Sequence, residues 1–500
     1  MTVVGRAKVG RTQVRRPNIL WYCTDQQRWD TIRALGNPHV RTDCLDALCG
    51  SGVAFNRAYC QAPICTPSRS SFLTGRYPMA VQVHRNGAAY FPPNEVLVTK
   101  IFADQGYDCG LVGKLHLSSA QFYEKRPDDG FRSFYWSNHP KPDMDKGHDY
   151  EQWLRHEKKV DPIELYRSVN GFCRPGVPED LHQTTWCTER AISFITERRN
   201  CPWLFCINPF DPHPAFDPPQ AYWDRYDPAS MPPPLFKPSD LERQKKFRAI
   251  DAQAKEAVDP TQPARPEDPH IGDSLVHSAP SEFNGQQIKA AYYAMIELID
   301  KQLGRIIEVL RATGQLDNTI ILFHSDHGEM LGDHGLVLKG CRFFEGLVHV
   351  PLIFSWPERF QTGLQSEALV ELVDLAPTLL EAAGIDIPAR MQGRSLLPIL
   401  SGSAPLHSHK PHVVSQYWDG LALPDSDHSH ASMFFDGRYK SVCYHGHDLG
   451  EIFDLVNDPG EFENLWERAD LGDFKLALLK RHFDAVVSTS SAGPERISIM

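Results

Sequence analysis

Residues 319–324 read TIILFH, and Ser325, Asp326 and His327 follow this run directly. A continuous apolar run of six residues that ends in polar residues is typical of a strand buried on both faces of a sheet. Carboxylate and imidazole side chains are common ligands of divalent metals. We therefore predict a strand over 319–324 that carries two potential metal ligands at its carboxyl end.

Four other runs have the same apolar character, and helical patterns at 286–313 and 374–383 lie between or after them. The predicted strands are Asn18–Thr24, 109–113, Trp203–Asn208 and 351–356. Alternating strands and helices predict a mainly parallel sheet covered by helices on both faces. In such sheets ligands bind at the carboxyl ends of strands. The side chains that follow predicted strand ends are Asp25, Lys114, His213, Asp326 and His327.

The stretch 63–76 (PICTPSRSSFLTGR) places Cys65 between two prolines and four residues before Arg69. The prolines disfavour a helix that starts at Cys65, and we expect the helix to begin just after it. Cys65 would then lie at a helix N-terminus, where backbone N–H groups attract an anion, and the Arg69 guanidinium suits a tetrahedral oxyanion. The alternative is a buried inert cysteine, which is common for free cysteines. The flanking proline, arginine and glycine favour an anion site.

This stretch resembles the first signature of the type I, formylglycine-dependent sulfatases, a branch of the alkaline phosphatase superfamily. The match covers the Cys-x-Pro-x-Arg core and the Thr-Gly that follows it. The resemblance implies that a maturation enzyme oxidises Cys65 to formylglycine, an aldehyde whose hydrate attacks sulfur with one oxygen and expels sulfate with the other. It also implies a large, mainly parallel mixed α/β sheet between helices, with a smaller C-terminal antiparallel sheet.

Residues 106–116 (GYDCGLVGKLH) resemble the second sulfatase signature, with Cys109 where serine or threonine is usual. In that family the lysine, here Lys114, binds formylglycine and the substrate oxyanion, and the histidine, here His116, holds the diol. Two side chains that are two residues apart on an extended segment reach one site only if the chain bends. The prediction for His116 therefore depends on such a bend.

The resemblance also implies one divalent metal, held by Asp25, Asp326, His327 and residue 65. Many sulfatases carry Asp-Asp and Asp-Asn pairs at the corresponding positions, whereas this chain has Asp25-Gln26 and Asp326-His327. Imidazole is a softer ligand than an amide oxygen, so both Mn²⁺ and Ca²⁺ stay open. In these two pairs the chain resembles the phosphonate monoester hydrolases and some bacterial sulfatases.

Three further site residues are predicted from the resemblance. His213 matches the family histidine beside the leaving-group oxygen, and an ordinary histidine pKa of ~6.5 suits a general acid. Lys339 lies thirteen residues after Asp326 and matches the second lysine on the sulfate oxygens. Asn86 lies twenty-one residues after Cys65, an offset that matches an active-site asparagine of the phosphonate monoester hydrolase branch.

The pattern divides the chain into three parts. We expect a flexible basic tail at 1–16, a catalytic α/β domain at 17–405, and a C-terminal subdomain with a small antiparallel sheet at 406–500. Polar segments at about 125–159 and 237–285 are predicted to be insertions near the site. A β-hairpin is predicted where 433–435 and 439–444 flank Asp436-Gly437.

Composition excludes several classes of partner. A net charge of −11 disfavours nucleic acid, and no apolar stretch approaches the ~20 residues of a membrane helix. Twelve scattered cysteines without a Cys-x-x-Cys pair, in a chain without an export signal, predict a reducing cytoplasm. Because sulfatases commonly associate, we expect a homo-oligomer that acts on a small-molecule ester.

Three functions stay open at this point. The first is a sulfatase that hydrolyses an organic sulfate monoester, which the two signatures and the C-terminal segment favour. The second is a phosphonate monoester or phosphodiester hydrolase with the same machinery, which Gln26, His327 and Asn86 favour. The third is a non-catalytic anion-binding relative in which Cys65 stays a thiol, although the retained Arg69 and Lys114 speak against it.

Overall fold

The structure is a computed structural model, and the residues that it describes are 16–120, 123–140, 148–167, 169, 171–263, 279–491 and 493. The predicted basic tail lies outside the described residues except for Arg16. The parts of the two predicted insertions at 141–147 and 264–278 also lie outside them.

Fifteen strands form three sheets in the described part of the chain. In chain order they are β1 (Asn18–Thr24), β2 (Val53–Phe55), β3 (Ala58–Tyr59), β4 (Asp108–Gly113), β5 (Ser133–Trp136), β6 (Trp203–Asn208), β7 (Thr319–Ser325), β8 (His349–Val350), β9 (Leu352–Ser355), β10 (Leu364–Ser366), β11 (Val370–Glu371), β12 (Val413–Trp418), β13 (His430–Phe435), β14 (Tyr439–His445) and β15 (Leu449–Asp454).

The main sheet has eight strands in the order β10-β2-β9-β7-β1-β6-β4-β5. Its strands are mutually parallel except for β9, which runs antiparallel to both β2 and β7. The sheet is therefore mixed and mainly parallel, which confirms the predicted fold class. β3, β8 and β11 form a small separate sheet, and β12 to β15 form the antiparallel C-terminal sheet.

The helices cover the sheets and connect the parallel strands. In chain order the α-helices are α1 (Asp43–Gly50), α2 (Cys65–Thr74), α3 (Pro78–Val81), α4 (Val98–Asp104), α5 (Asp149–Trp153), α6 (Pro162–Arg167), α7 (Gln183–Thr196), α8 (Gln220–Trp223), α9 (Ser239–Arg243), α10 (Gly285–Ala312), α11 (Glu345–Val348), α12 (Leu375–Ala382), α13 (Leu397–Leu400) and α14 (Gly472–Ser488). Among the described helices none is both long and apolar enough to cross a membrane.

Two hydrophobic cores lie on the two faces of the main sheet. In β1, Ile19 and Trp21 pack into the core that includes α2 and α12, whereas Leu20 and Tyr22 pack into the core that includes α7 and α10. A strand buried on both faces needs apolar side chains at every position rather than at alternate ones. This requirement explains the continuous apolar runs from which the central strands were predicted.

The predicted central strands and the two predicted helices agree with the structure within one or two residues at each end. The predicted hairpin at Asp436-Gly437 is the β13–β14 pair, and its first strand begins three residues earlier than predicted. The edge strand β5 lies inside the segment 125–159 and was not predicted. Its sequence, SFYW, is aromatic, but it has only four residues within a largely polar segment and three of them are half-buried. β2 and β10 have only three residues each and carry too little pattern to recognise.

Gly113 ends β4 and determines the direction in which the chain continues to Lys114. Its φ is +99°, and a Cβ atom at this position would lie 2.0 Å from the Asn208 carbonyl oxygen at the end of β6. The backbone N–H of Lys114 donates to that same carbonyl over 2.9 Å. Glycine therefore permits the close approach of two strand ends that places Lys114 beside the end of β6.

Replacement of Gly113 by alanine tests this close approach. Gly314 is a matched control, since its φ is +65° but a methyl group there would meet no atom of the described residues within 4 Å. Gly314→Ala should cost about 1 kcal/mol of unfolding free energy from the left-handed backbone alone. Gly113→Ala should cost roughly 1–3 kcal/mol more because the methyl group overlaps the carbonyl. Urea unfolding measures both values, and equal losses would contradict the steric explanation.

Candidate active site

The carboxyl ends of four adjacent strands meet at one edge of the main sheet. Thr24 of β1 pairs with Ser325 of β7, so the next residues, Asp25 and Asp326, lie side by side. Gly113 of β4 pairs with Asn208 of β6, which places Lys114 at the same edge. The convergence that was predicted from the strand ends is therefore present in the structure.

Helix α2 begins at Cys65 itself, which corrects the expectation that the prolines prevent this start. Pro67 occupies the first turn, where a missing N–H group costs little because it has no partner within the helix. The Asn86 side chain accepts the Thr66 N–H over 3.0 Å, and the Ser68 hydroxyl donates to the Asp326 carbonyl over 2.6 Å. Asn86 thus fixes the helix N-terminus, and Ser68 attaches it to the end of β7.

The Cys65 sulfur is the centre of the site and is almost fully buried. Its neighbours are the Nζ of Lys339 at 3.1 Å, the Nε2 of His327 at 3.2 Å, the Nζ of Lys114 at 3.4 Å and the Oδ1 of Asp25 at 3.7 Å. Burial alone would raise the pKa of the Cys65 thiol, but Lys114, Lys339 and His327 outweigh it, and the pKa falls well below the ordinary value. The surroundings of residue 65 therefore favour an anion.

Arg69 lies one turn along α2 and is fully buried. Its Nε donates to Oδ2 of Asp326 and its Nη1 donates to the carbonyl oxygen of Lys114, both over 2.8 Å. Its Nη2 lies 3.8 Å from Asp25 and has no hydrogen-bond partner among the described residues. This buried guanidinium therefore keeps one donor that could bind a further acceptor such as an oxyanion.

One group of side chains in the described residues has the spacing of a metal site. Donor atoms of Asp25, Cys65, Asp326 and His327 all lie within 4.8 Å of one another, and all four residues are buried. Burial raises the pKa of Asp25, but the Lys114 ammonium and the Arg69 guanidinium lower it to about 2. Two carboxylate side chains and an imidazole fit a divalent cation with mixed oxygen and nitrogen ligands.

The chain makes the bend that His116 needs in order to reach this site. His116 has a positive φ of 56°, and its imidazole lies near enough to Cys65 for the two groups to shift each other's pKa. The Glu124 carboxylate holds the bend, since it accepts the backbone N–H groups of His116 over 2.9 Å and Leu117 over 2.5 Å. Lys114 and His116 therefore both face residue 65. Glu124 was not predicted, because a lone glutamate eight residues downstream of His116 carries no pattern.

His213 lies at the site, but its expected pKa is wrong. Burial lowers the pKa of this imidazole well below the ordinary value, and Lys339 lowers it further. The ring packs on Phe210 with a centroid distance of 4.3 Å, and the Lys114 ammonium lies 5.3 Å from the same ring. His213 is therefore neutral near pH 7 and lacks the unperturbed pKa that would suit it to general acid work.

Two buried polar residues of the site were not among the predicted site residues. Gln26 directly follows Asp25 and accepts a hydrogen bond from Lys339, and Glu329 lies two residues after His327 and accepts one from Gln26. Both are fully buried. Their position beside predicted metal ligands was a usable signal, but no sequence pattern indicates that the two side chains contact each other.

Comparisons with known proteins agree with this geometry. Residues 17–385 match the family model for sulfatase, and residues 332–486 match the model for the C-terminal part of N-sulphoglucosamine sulphohydrolase. An arylsulfatase of Clostridium perfringens is 29% identical over 469 residues, with 90% of each chain covered. The multifunctional alkaline phosphatase superfamily protein PehA of Trinickia caryophylli is 29% identical over 510 residues, with 94% of each chain covered.

Solved structures show the same fold. The phosphonate monoester hydrolase of Agrobacterium radiobacter aligns with a TM-score of 0.78 at 24% identity, and the alignment covers 97% of this chain and 98% of that one. The sulfatase model spans the main sheet, and the second model spans the C-terminal sheet. The chain therefore belongs to the sulfatase family of the alkaline phosphatase superfamily.

Proposed function

We propose that this protein hydrolyses sulfate monoesters with a formylglycine derived from Cys65 and one divalent metal. The family assignment confirms the prediction of a sulfuric ester hydrolase at the level of the enzyme class. The observation that carries the finer proposal is the shell around residue 65. The side chains of Lys114, Lys339 and His327 all lie within 3.4 Å of its sulfur.

The Cys65 sulfur occupies the position that a formylglycine oxygen would take after oxidation. When formed, the hydrated aldehyde supplies one oxygen that attacks sulfur and another that releases sulfate. The two lysines are placed to hold such oxygens by charge-assisted hydrogen bonds, and the His116 imidazole lies near the same group. This proposal requires a formylglycine-generating enzyme as a partner during maturation.

The residues that would hold the metal are Asp25, Asp326, His327 and residue 65. The metal would supply charge neutralisation for the transferred group and would favour deprotonation of a hydroxyl beside it. The imidazole among the donors favours Mn²⁺ over Ca²⁺, since Ca²⁺ prefers oxygen ligands alone.

The protein's own cations bind and orient the sulfate group. The unused Nη2 donor of Arg69 and the ammonium groups of Lys114 and Lys339 surround the space next to residue 65. Such preorganised charge contributes about 3–4 kcal/mol per donor to transition-state stabilisation in comparable sites. Lys339 is our candidate for the proton donor to the leaving alcohol, because His213 is neutral near pH 7.

A second candidate function is the hydrolysis of phosphonate monoesters or phosphodiesters. Asp326-His327 replaces the Asp-Asn pair of many sulfatases, and Asn86 lies beside the nucleophile position, where its side chain holds the Thr66 N–H. Sulfuryl and phosphoryl groups share a tetrahedral shape, so the same cations suit both. Rates on an aryl sulfate and on a phenylphosphonate ester, measured side by side on one preparation, separate the two functions.

We also infer a reducing compartment and a homo-oligomeric state. All twelve cysteines are described and none is paired in a disulfide, which supports the cytoplasm. Size-exclusion chromatography with light scattering tests the oligomeric state directly.

The state of residue 65 tests the formylglycine proposal. In protein from its native host, or coexpressed with a formylglycine-generating enzyme, mass analysis of the tryptic peptide 58–69 should find the aldehyde in place of the thiol. Cys65→Ala should abolish turnover of an aryl sulfate because no nucleophile is left. Cys60→Ala is a control, since that buried cysteine lies outside the site. An unmodified thiol in active native protein, or an active Cys65→Ala variant, contradicts the proposal.

The pH dependence tests the role of His213. Because burial and Lys339 lower its pKa, the imidazole stays neutral between about pH 6 and pH 8 and cannot produce an inflection there. His213→Asn should therefore lower kcat/KM without changing the shape of its pH profile in that range. The exposed His156→Asn is a control. An inflection near pH 6.5 that disappears in His213→Asn would show that His213 is the proton donor.

A further inference from the structure

Lys339 differs from Lys114 in how its ammonium group is held. Lys114 contacts the Asp25 carboxylate directly, so it shares a candidate metal ligand. Lys339 instead donates over 2.7 Å to the neutral amide oxygen of Gln26, and its Nζ lies 3.1 Å from the Cys65 sulfur. In the described residues Lys339 has no carboxylate within ion-pair distance.

The amide of Gln26 connects Lys339 to a buried carboxylate. The Gln26 Nε2 donates to Oε2 of Glu329, which is fully buried. The other oxygen of Glu329 accepts the backbone N–H groups of Leu331 and Leu338. Glu329 therefore fixes both ends of the loop that leads to Lys339, and the Gln26 amide lies between its carboxylate and the ammonium.

Gln26 itself is fixed at both of its backbone groups. Its N–H donates to Oδ1 of Asp326 over 3.0 Å, and its carbonyl accepts the Tyr292 hydroxyl over 2.6 Å. Its φ is +71°, an uncommon value for a residue other than glycine, which agrees with a backbone conformation set by these two hydrogen bonds. The side chain consequently has little freedom to leave the bridge between Glu329 and Lys339.

A neutral bridge and a direct ion pair have different consequences for the site. A carboxylate at position 26 would neutralise Lys339 and compete with a substrate anion for its N–H donors. An amide occupies one donor and leaves the positive charge available beside residue 65. The Glu329 carboxylate offsets part of the free-energy cost of burying the Lys339 ammonium, although one amide group separates the two charges.

We infer that Gln26 and Glu329 are positioning residues that hold the Lys339 ammonium beside residue 65 through a neutral amide. This inference rests on the proposed function, because it assigns Lys339 to the sulfate oxygens. Each lysine approaches a candidate metal ligand, since Lys114 contacts Asp25 and the Nζ of Lys339 lies 3.5 Å from Nε2 of His327. The two lysines differ in the direct partner of the ammonium, which is a carboxylate for Lys114 and the Gln26 amide for Lys339.

Two variants and one control test the inference. Gln26→Met removes both hydrogen bonds at similar volume, and Glu329→Gln removes the charge at equal shape. Gln27→Met is the matched control, because Gln27 is equally buried but its amide donates to Thr31 instead of contacting Lys339. The measurements are metal content per chain, the Kd of inorganic sulfate by calorimetry, and kcat and KM on an aryl sulfate.

Gln26→Met and Glu329→Gln should each weaken sulfate binding and lower kcat by roughly tenfold, the typical effect of one charge-assisted hydrogen bond. Both variants should keep the wild-type metal content, and Gln27→Met should match the wild type in all three measurements. The exchange variant Gln26→Glu/Glu329→Gln keeps the side-chain shapes but places the negative charge directly beside the Lys339 ammonium. It should stay as impaired as the single variants.

Three results would overturn the inference. Loss of metal in Gln26→Met would show that Gln26 is a ligand. Wild-type sulfate affinity in both single variants would show that the bridge does not position Lys339. Recovery of sulfate affinity and kcat in the exchange variant would show that side-chain shape at positions 26 and 329 is sufficient and that the neutral amide beside Lys339 is not needed. A wild-type protein without turnover contradicts the proposed function instead, and the calorimetric comparison still tests the bridge.

Discussion

Two carboxylates that are buried at the ends of adjacent parallel strands determine the organisation of this site. Asp25 and Asp326 are fully shielded from water, and an isolated buried carboxylate would be prohibitively costly. Arg69 and Lys114 compensate them, which brings α2 and the end of β4 to the same point. Residue 65, at the first position of α2, is thereby fixed against the cations.

The same charges explain how an acidic protein receives an anionic substrate. Within the site the carboxylates of Asp25, Asp326 and Glu329 balance the cations Arg69, Lys114 and Lys339. A divalent ion on the carboxylates would leave a local positive excess, in contrast to the net charge of −11 for the whole chain. Attraction of a sulfate ester therefore depends on the local arrangement and not on the overall field.

Features that follow from burial and from contiguous motifs could be predicted from the sequence. The central strands are buried on both faces, so each is a continuous apolar run, and the ligands directly after them could be placed at one edge of the sheet. The edge strand β5 has only four residues, three of them half-buried, and lies within a polar segment. The bridge from Glu329 through Gln26 to Lys339 and the low pKa of His213 depend on contacts between distant segments. They became apparent only in three dimensions.

The proposed function requires that Asp25, Asp326, His327 and residue 65 bind one divalent metal together. The metal content of purified protein tests this requirement, measured by inductively coupled plasma mass spectrometry for wild type, Asp326→Ala and the exposed control Asp317→Ala. We expect about one divalent ion per chain in wild type and in the control, and almost none in Asp326→Ala. Equal metal content in all three proteins would show that these residues do not form the metal site.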